Sequence, residues 1–494
     1  MRKIPEPSRR LLFISLMVMI VTVFCSFLSF GYSEKTRKTL TVMIYMCGSN
    51  LESLHGCGSA DIEEMIQSGI QGQDVKLLVM TGGSKSSGVG YFNAETSGIY
   101  EISRGRQRRV WNSDITMNMG DAATLTLFLQ YGVEKKPADD YALILWDHGE
   151  GPLDGVCIDE NFKNDRLSLD ELKEGLMNAD LPRKLKLIGF DACLMADLEV
   201  AETLAPFADY MIASQERENG QGWDYSFLQD LSTDQSGSEI GRLIIDSFSS
   251  SQKNQEEPYT LSCIDLSRMK NVSEELNEFF ALTPEMDERL YSRMSFLRLD
   301  TTTFGWSPDE GNAHDLVDLY DLTEKMEEIM GDASPLKNSL KKAIVYNKSS
   351  IQGAHGLSVY YPYVNQPKYL MEWREGYHQL RIEGAYLRHL ETFGSFLIDE
   401  GVVSWNHLHA EETAVDEDGN HFALQLSPEQ TEQFLFGQLL ILEQGSIISG
   451  EATNYSLVGS VPAQIDEKGL VTCVYSGRTL YIQRENGKFI GPIR

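Results

Sequence analysis

The sequence predicts an α/β fold built on a mainly parallel sheet, followed by a smaller β-rich C-terminal unit. Three observations predict it. Short, wholly apolar runs recur through residues 39–284, and amphipathic helical patterns separate them. From about residue 403 the chain changes to short strand-like segments with turn signals. Alternating strands and helices favour a parallel sheet with helices on both faces. Apolar runs with no polar alternation belong to strands covered on both sides.

The predicted strands are LTVMIYM (40–46), VKLLVM (75–80), YALILW (141–146), KLKLIGF (184–190) and YMIAS (210–214), with TLSCIDL (260–266) as a sixth. Helical periodicity fills the gaps at 59–69, 120–133, 168–179 and 196–205. Ser168 and Glu171 form a capping box that fixes the start of the third helix. GVGYFN and SGIYEIS, within 88–103, read as a β-hairpin after the second strand. Residues 285–395 form an accessory region with a helical stretch at 315–330 and strand-like AIVYNKSS and GLSVYYPY. Residues 400–494 read as a separate β-rich domain.

The chain opens with Arg2, Lys3, Arg9 and Arg10 ahead of about twenty apolar residues, LLFISLMVMIVTVFCSFLSF. A basic stretch before an apolar run is an export signal, and this run is also long enough to anchor in a bilayer. Residues 1–31 are therefore expected to direct the rest outside the cell, secreted or held at the membrane's outer face. The formal charge is −30, and about −33 without that segment, which carries four bases and one acid. Such acidity argues against nucleic-acid partners and leaves membrane contact to the N-terminal segment. The chain is expected to be a monomer. The cysteines, Cys25, Cys47, Cys57, Cys157, Cys193, Cys263 and Cys473, show no CxxC and no regular framework. A chain this long has no need of disulfide staples, and a Cys47–Cys57 bridge is only a minor alternative.

Two strand ends carry chemistry. YALILW runs into Asp147-His148-Gly149, and KLKLIGF runs into Asp191-Ala192-Cys193. Ligands of such sheets bind beyond the carboxyl ends of the strands. A cysteine at the start of a helix gains from free N–H groups and the helix dipole, which favour its thiolate. An imidazole nearby can protonate a leaving amine, and Gly149 lets a backbone N–H approach an oxyanion. Cys47 also ends a strand and rivals Cys193, while Cys157 lies only nine residues past His148. His355-Gly356 repeats the His-Gly pair but precedes a strand. Asp191 suits either a cap on the following helix or recognition of a cationic side chain.

MIYMCGSNLES, ALILWDHGEG, LIGFDACLMADLEVA and ASQERENGQGWDY, in that order, resemble the clostripain family of cysteine endopeptidases, in the broad group of caspases, legumain and gingipains. The likeness covers about residues 40–265, with a weaker echo to about 395. It implies a caspase-like α/β/α sandwich, with His148 as general acid/base and Cys193 as nucleophile. It also implies an oxyanion hole from the N–H groups of Gly149 and Cys193, and Asp191 at a pocket for Arg or Lys. Substrates would then be proteins or peptides with a basic P1 residue. Some relatives are cut in the loop after the histidine strand, which here holds Lys163 and Arg166, and self-cleavage there would activate the enzyme. The residues require no cofactor. The resemblance implies calcium for some relatives, yet Gly419 in DEDGN (416–420) comes too early for a calcium loop, and a turn explains it. Two rivals share these motifs: a silent surface-binding protein with the same fold, and a transpeptidase using the same pair.

Overall fold

The computed structural model describes residues 38–398 apart from 86–89, 253–256, 308–310 and 364–383, together with short strands between 413 and 490. In chain order the strands before residue 364 are β1 (Leu40–Cys47), β2 (Val75–Gly82), β3 (Gly98–Ser103), β4 (Arg106–Asn112), β5 (Asp140–Trp146), β6 (Val156–Asp159) and β7 (Asp165–Leu167). They continue with β8 (Leu187–Asp191), β9 (Tyr210–Ala213), β10 (Thr260–Asp265), β11 (Thr303–Ser307), β12 (Gly311–Asp318), β13 (Ile344–Ser349) and β14 (Ser358–Tyr360).

Nine of these make one sheet in the order β13-β10-β9-β8-β5-β1-β2-β3-β4. The centre, β9 to β2, is parallel, and both flanks are antiparallel. All six predicted strands are present. β1 explains why its sequence is apolar throughout. Met43, Tyr45 and Cys47 join one core with Phe128 and Leu129 of the helix Ala122–Lys135. Val42, Ile44 and Met46 join another with Ile62 and Met65 of the helix Cys57–Gln67. Side chains alternate between the faces of a strand, so covering both faces demands apolar residues at every position. The result is an α/β/α sandwich.

Local signals hold where capping fixes them. The helix Leu169–Asn178 begins at the Ser168–Glu171 capping box, with both reciprocal hydrogen bonds formed. Three expectations shift, the first being that the helix expected at 315–330 is Leu319–Met330, capped by Asp318 at the end of β12. The hairpin is β3–β4, residues 98–112, rather than 88–103. β4, RQRRVWN, escaped notice because this edge strand is largely exposed and lacks an apolar signature. The helix expected at 196–205 is Leu198–Leu204, because the Asp197 carboxylate caps it by accepting from Val200 N–H at 2.9 Å.

β12 pairs with β11 and β14 in a three-stranded sheet of the 285–395 region. Among the described residues, the strands between 413 and 490 pair only with one another. Among the described residues no helix is long and apolar enough to cross a membrane. The N-terminal segment 1–31 and DEDGN lie outside the described residues.

Candidate active site

The sheet order reverses beside β1: β2 lies on one side, and β5, β8 and β9 follow on the other. Such a reversal leaves a crevice at the carboxyl edge. Met46 pairs with Trp146, and Trp146 with Asp191, so β1, β5 and β8 end level with one another. His148 and Cys193 each lie two residues beyond these ends. Their backbones adjoin: a side-chain carbon on Gly149 would fall 2.2 Å from the Cys193 carbonyl oxygen. Glycine is required there. Among the described residues, neither Gly149 N–H nor Cys193 N–H donates to another protein group.

His148 is half-buried. Its Nε2 lies 2.6 Å from Asn50 Oδ1, in the helix Ser49–His55 that follows β1. The preceding residue is pinned as well. Asp147 is buried, accepting from Ser49 Oγ at 2.5 Å and from Ile158 N–H of β6 at 2.5 Å. Burial, with the nearby Arg217 cation, holds the His148 imidazole below its ordinary value.

The Cys193 thiol accepts from Glu218 N–H at 3.2 Å and points to Glu218 O at 3.7 Å. Burial, aided by the Glu218 carboxylate, pushes the thiol up to about 12. The dipole expected to favour a thiolate is not there: the helix starts at Leu198, and Cys193 sits in a turn whose next residue, Leu194, has φ +61°. The resting pair is therefore a neutral thiol and a neutral imidazole.

Asp191 does not cap that helix, since Asp197 does. It closes β8 and is buried, accepting from Trp223 N–H at 3.0 Å and Tyr225 O–H at 2.8 Å. Three further carboxylates gather round it. Asp61 accepts from Trp146 Nε1–H at 2.6 Å, Glu64 accepts from Tyr225 N–H at 3.2 Å, and the Glu218 carboxylate bears directly on Asp191. Burial, with their mutual repulsion, raises Asp191 to about 7 and Asp61 to about 9, and lifts Glu218 well above the usual carboxylate range. Gly222 (φ +60°) lets this loop pass Asp191, since a side-chain carbon there would meet Oδ1 at 2.7 Å.

A model of the clostripain family (peptidase C11) matches residues 44–388. This chain belongs to the clostripain family. It is a cysteine peptidase. Clostripain of Hathewaya histolytica is 23% identical over 404 residues, 67% of this chain and 76% of that protein. Among solved structures, an inactive zymogen C11 protease from Parabacteroides distasonis superposes with a TM-score of 0.54 at 23% identity, over 70% of this chain and 99% of that one. A secreted C11 cysteine protease from Bacteroides thetaiotaomicron, in complex with an irreversible peptide inhibitor, gives 0.53 at 18%, over 70% and 100%. These likenesses establish the shared fold.

Within this clostripain-family chain the two basic positions of the post-histidine loop differ. Lys163 is exposed at the tip of the β6–β7 hairpin, with φ +63°, next to Asn164 at +60°. Arg166 lies within β7, tied to Glu150 at 2.6 Å and Asp154 at 3.3 Å. The rival cysteines are displaced. Cys47 is fully buried and donates to Ile158 O at 3.3 Å, and Cys157 is buried beside it. Cys47 and Cys57 are free thiols, so no bridge joins them. Among the described residues no group of three or more His, Cys, Asp or Glu could hold a metal ion.

Sequence reading missed Asn50, Glu218 and Asp61. Asn50 and Glu218 stand inside the quoted motifs MIYMCGSNLES and ASQERENGQGWDY, and there lay the only signal.

Proposed function

We propose that this protein is an exported endopeptidase that cuts after Arg or Lys, with Cys193 as nucleophile and His148 as general acid/base. One observation carries the specificity: Asp191, two residues before Cys193, is buried with the Asp61 and Glu218 carboxylates bearing on it, and the hydrogen bonds that reach Asp61 and Asp191 come from neutral groups, Trp146 Nε1–H, Trp223 N–H and Tyr225 O–H. Buried carboxylates are stabilised by a cation, and a guanidinium or ammonium entering beside Cys193 supplies one.

The thiol proton passes to His148 as sulfur bonds to the peptide carbonyl carbon and the carbonyl π pair moves to oxygen. The N–H groups of Gly149 and Cys193 receive that oxyanion. The C–N bond then breaks, and His148 returns its proton to the departing amine. Water attacks the thioester, giving a proton to His148. The C–S bond breaks, and sulfur recovers that proton.

Activation by self-cleavage fits Lys163 better than Arg166, because an exposed hairpin tip presents its peptide bond while a paired strand does not. Export rests on the basic and apolar segment at residues 2–30. The test is hydrolysis of fluorogenic Arg, Lys, Ala and Asp P1 peptides by purified protein and its Cys193→Ala variant. Basic substrates should be cut, and Cys193→Ala should abolish cutting. Equal rates on Ala and Arg would overturn the specificity, and activity surviving Cys193→Ala would overturn the mechanism. In pure protein, cutting at Lys163 that persists in Cys193→Ala would overturn self-processing.

A further inference from the structure

We propose that Asn50 is a positioning residue of this reaction, holding the His148 ring by Nε2 so that Nδ1 is the nitrogen that exchanges protons with Cys193 and the leaving amine. The inference rests on the reading of His148 and Cys193 as the reacting pair. Asn50 Oδ1 can only accept, so at 2.6 Å it selects the ring form with hydrogen on Nε2 and a bare Nδ1. A neutral ring has one proton, and a general base needs the other nitrogen empty.

The contact is a rung of a larger clamp. Ser49 and Asn50 follow β1, while Asp147 and His148 follow β5, the strand beside it. Ser49 Oγ donates to Asp147 Oδ1 at 2.5 Å, and the next rung joins Asn50 to His148. Asp147 Oδ2 is fixed from the far side by Ile158 N–H at 2.5 Å. Both ends of the second rung are thus held by their own neighbours. Ser49 takes a left-handed backbone, φ +43°, a strained conformation for a residue with a side chain, and it turns the chain into this position. Asn50 is exposed, so no core packing demands it.

The chemistry favours an amide over a carboxylate. An acid at position 50 would orient the ring equally well but would stabilise the imidazolium, which cannot take the thiol proton. Arg217 is the charged group that bears on the ring, and it acts in the same direction as the amide by opposing a second proton. Asp147, the nearest acid in sequence, spends its carboxylate on Ser49 and Ile158.

In the proposed cycle Nδ1 takes the thiol proton as the C–S bond forms, and gives it to the amine as the C–N bond breaks. It then takes and returns the proton of the attacking water. Nε2–H stays on Asn50 throughout.

The test combines Asn50→Ala and Asn50→Asp with nitrogen-15 NMR of the histidines in Cys193→Ala protein. The His148 ring should carry its proton on Nε2. Asn50→Ala should lower kcat about 10- to 100-fold with KM within about 2-fold, part of the 10²–10⁴ usual for acid–base catalysis. Asn50→Asp should move the acid limb of kcat/KM to higher pH and recover as pH rises, which Asn50→Ala should not. A ring protonated on Nδ1, or an Asn50→Ala enzyme with unchanged kcat and pH profile, overturns the proposal. Proteolysis surviving Cys193→Ala overturns the underlying dyad instead, and the two failures are separable because the tautomer is read without turnover.

Discussion

His148-Gly149 follows β5 and His355-Gly356 leads towards β14, and the two imidazoles meet different acceptors. His148 faces an amide, Asn50, at 2.6 Å, while His355 faces the buried carboxylate of Asp318 at 2.9 Å through Nδ1. Their protonation diverges accordingly. Burial and Arg217 lower His148, whereas the hydrogen bond to Asp318 raises His355. Asp318 also accepts from Gln215 Nε2–H, from His355 N–H and from Asp321 N–H at the start of the helix Leu319–Met330. The second pair is a brace at a junction of chain segments. The same dipeptide meets an exposed amide at one place and a buried carboxylate at the other, and the two rings shift in opposite directions.

The largest expected contrast is in catalysis. Cys193→Ala or His148→Ala should cost at least about 10³-fold in kcat/KM, while His355→Ala should stay within about 2-fold. A large loss at His355 would erase the distinction. Next comes the carboxylate cluster beside the first pair: Glu218→Gln or Asp191→Asn should lower kcat/KM on Arg and Lys substrates by about 10- to 100-fold, the scale of a desolvated charge pair losing one member. Unchanged rates would remove these carboxylates from P1 recognition.

The pH behaviour sharpens the comparison. With Cys193 pushed up to about 12 and His148 lowered, the resting thiol is protonated at neutral pH. Alkylation by iodoacetamide should therefore climb steadily above about pH 8, and a neutral plateau would reveal a preformed ion pair. The smallest effect is in stability. His355 is raised in the fold, so its pairing stabilises fully below the unfolded imidazole value, about 6.5, and is lost as pH rises through the folded value. Asp318→Asn should remove that pH dependence, a matter of at most about 1 kcal/mol for a half-exposed ring. Melting curves at pH 5 and 8 that shift equally in the two proteins would deny the linkage.

The placement of His148 and Cys193 at one sheet edge was legible because each follows an apolar run, and parallel register does the rest. Asn50 was not: it lies 98 residues from His148, and only the strand order makes them neighbours. Glu218 sits in an irregular loop with no periodicity to mark it. The segment CLMADLEV is compatible with helix from its first residue, and Asp197 alone sets the true start. For the same reason the predicted dipole assistance to Cys193 failed. Asp191 was readable only as an alternative between cap and recognition, and the distance to the helix removed the cap.

The exposed Lys163 turn has a consequence for the sheet. A cut there would leave β1 to β5 on one polypeptide, and β8, β9, β10 and β13 on another. The seam would run between β5 and β8, with His148 on one lip and Cys193 on the other. The mature enzyme would then be a split-protein pair held by sheet hydrogen bonds and a shared core. Every dissociation of its two pieces would be an inactivation, and reassembly would restore the site with no new bond made.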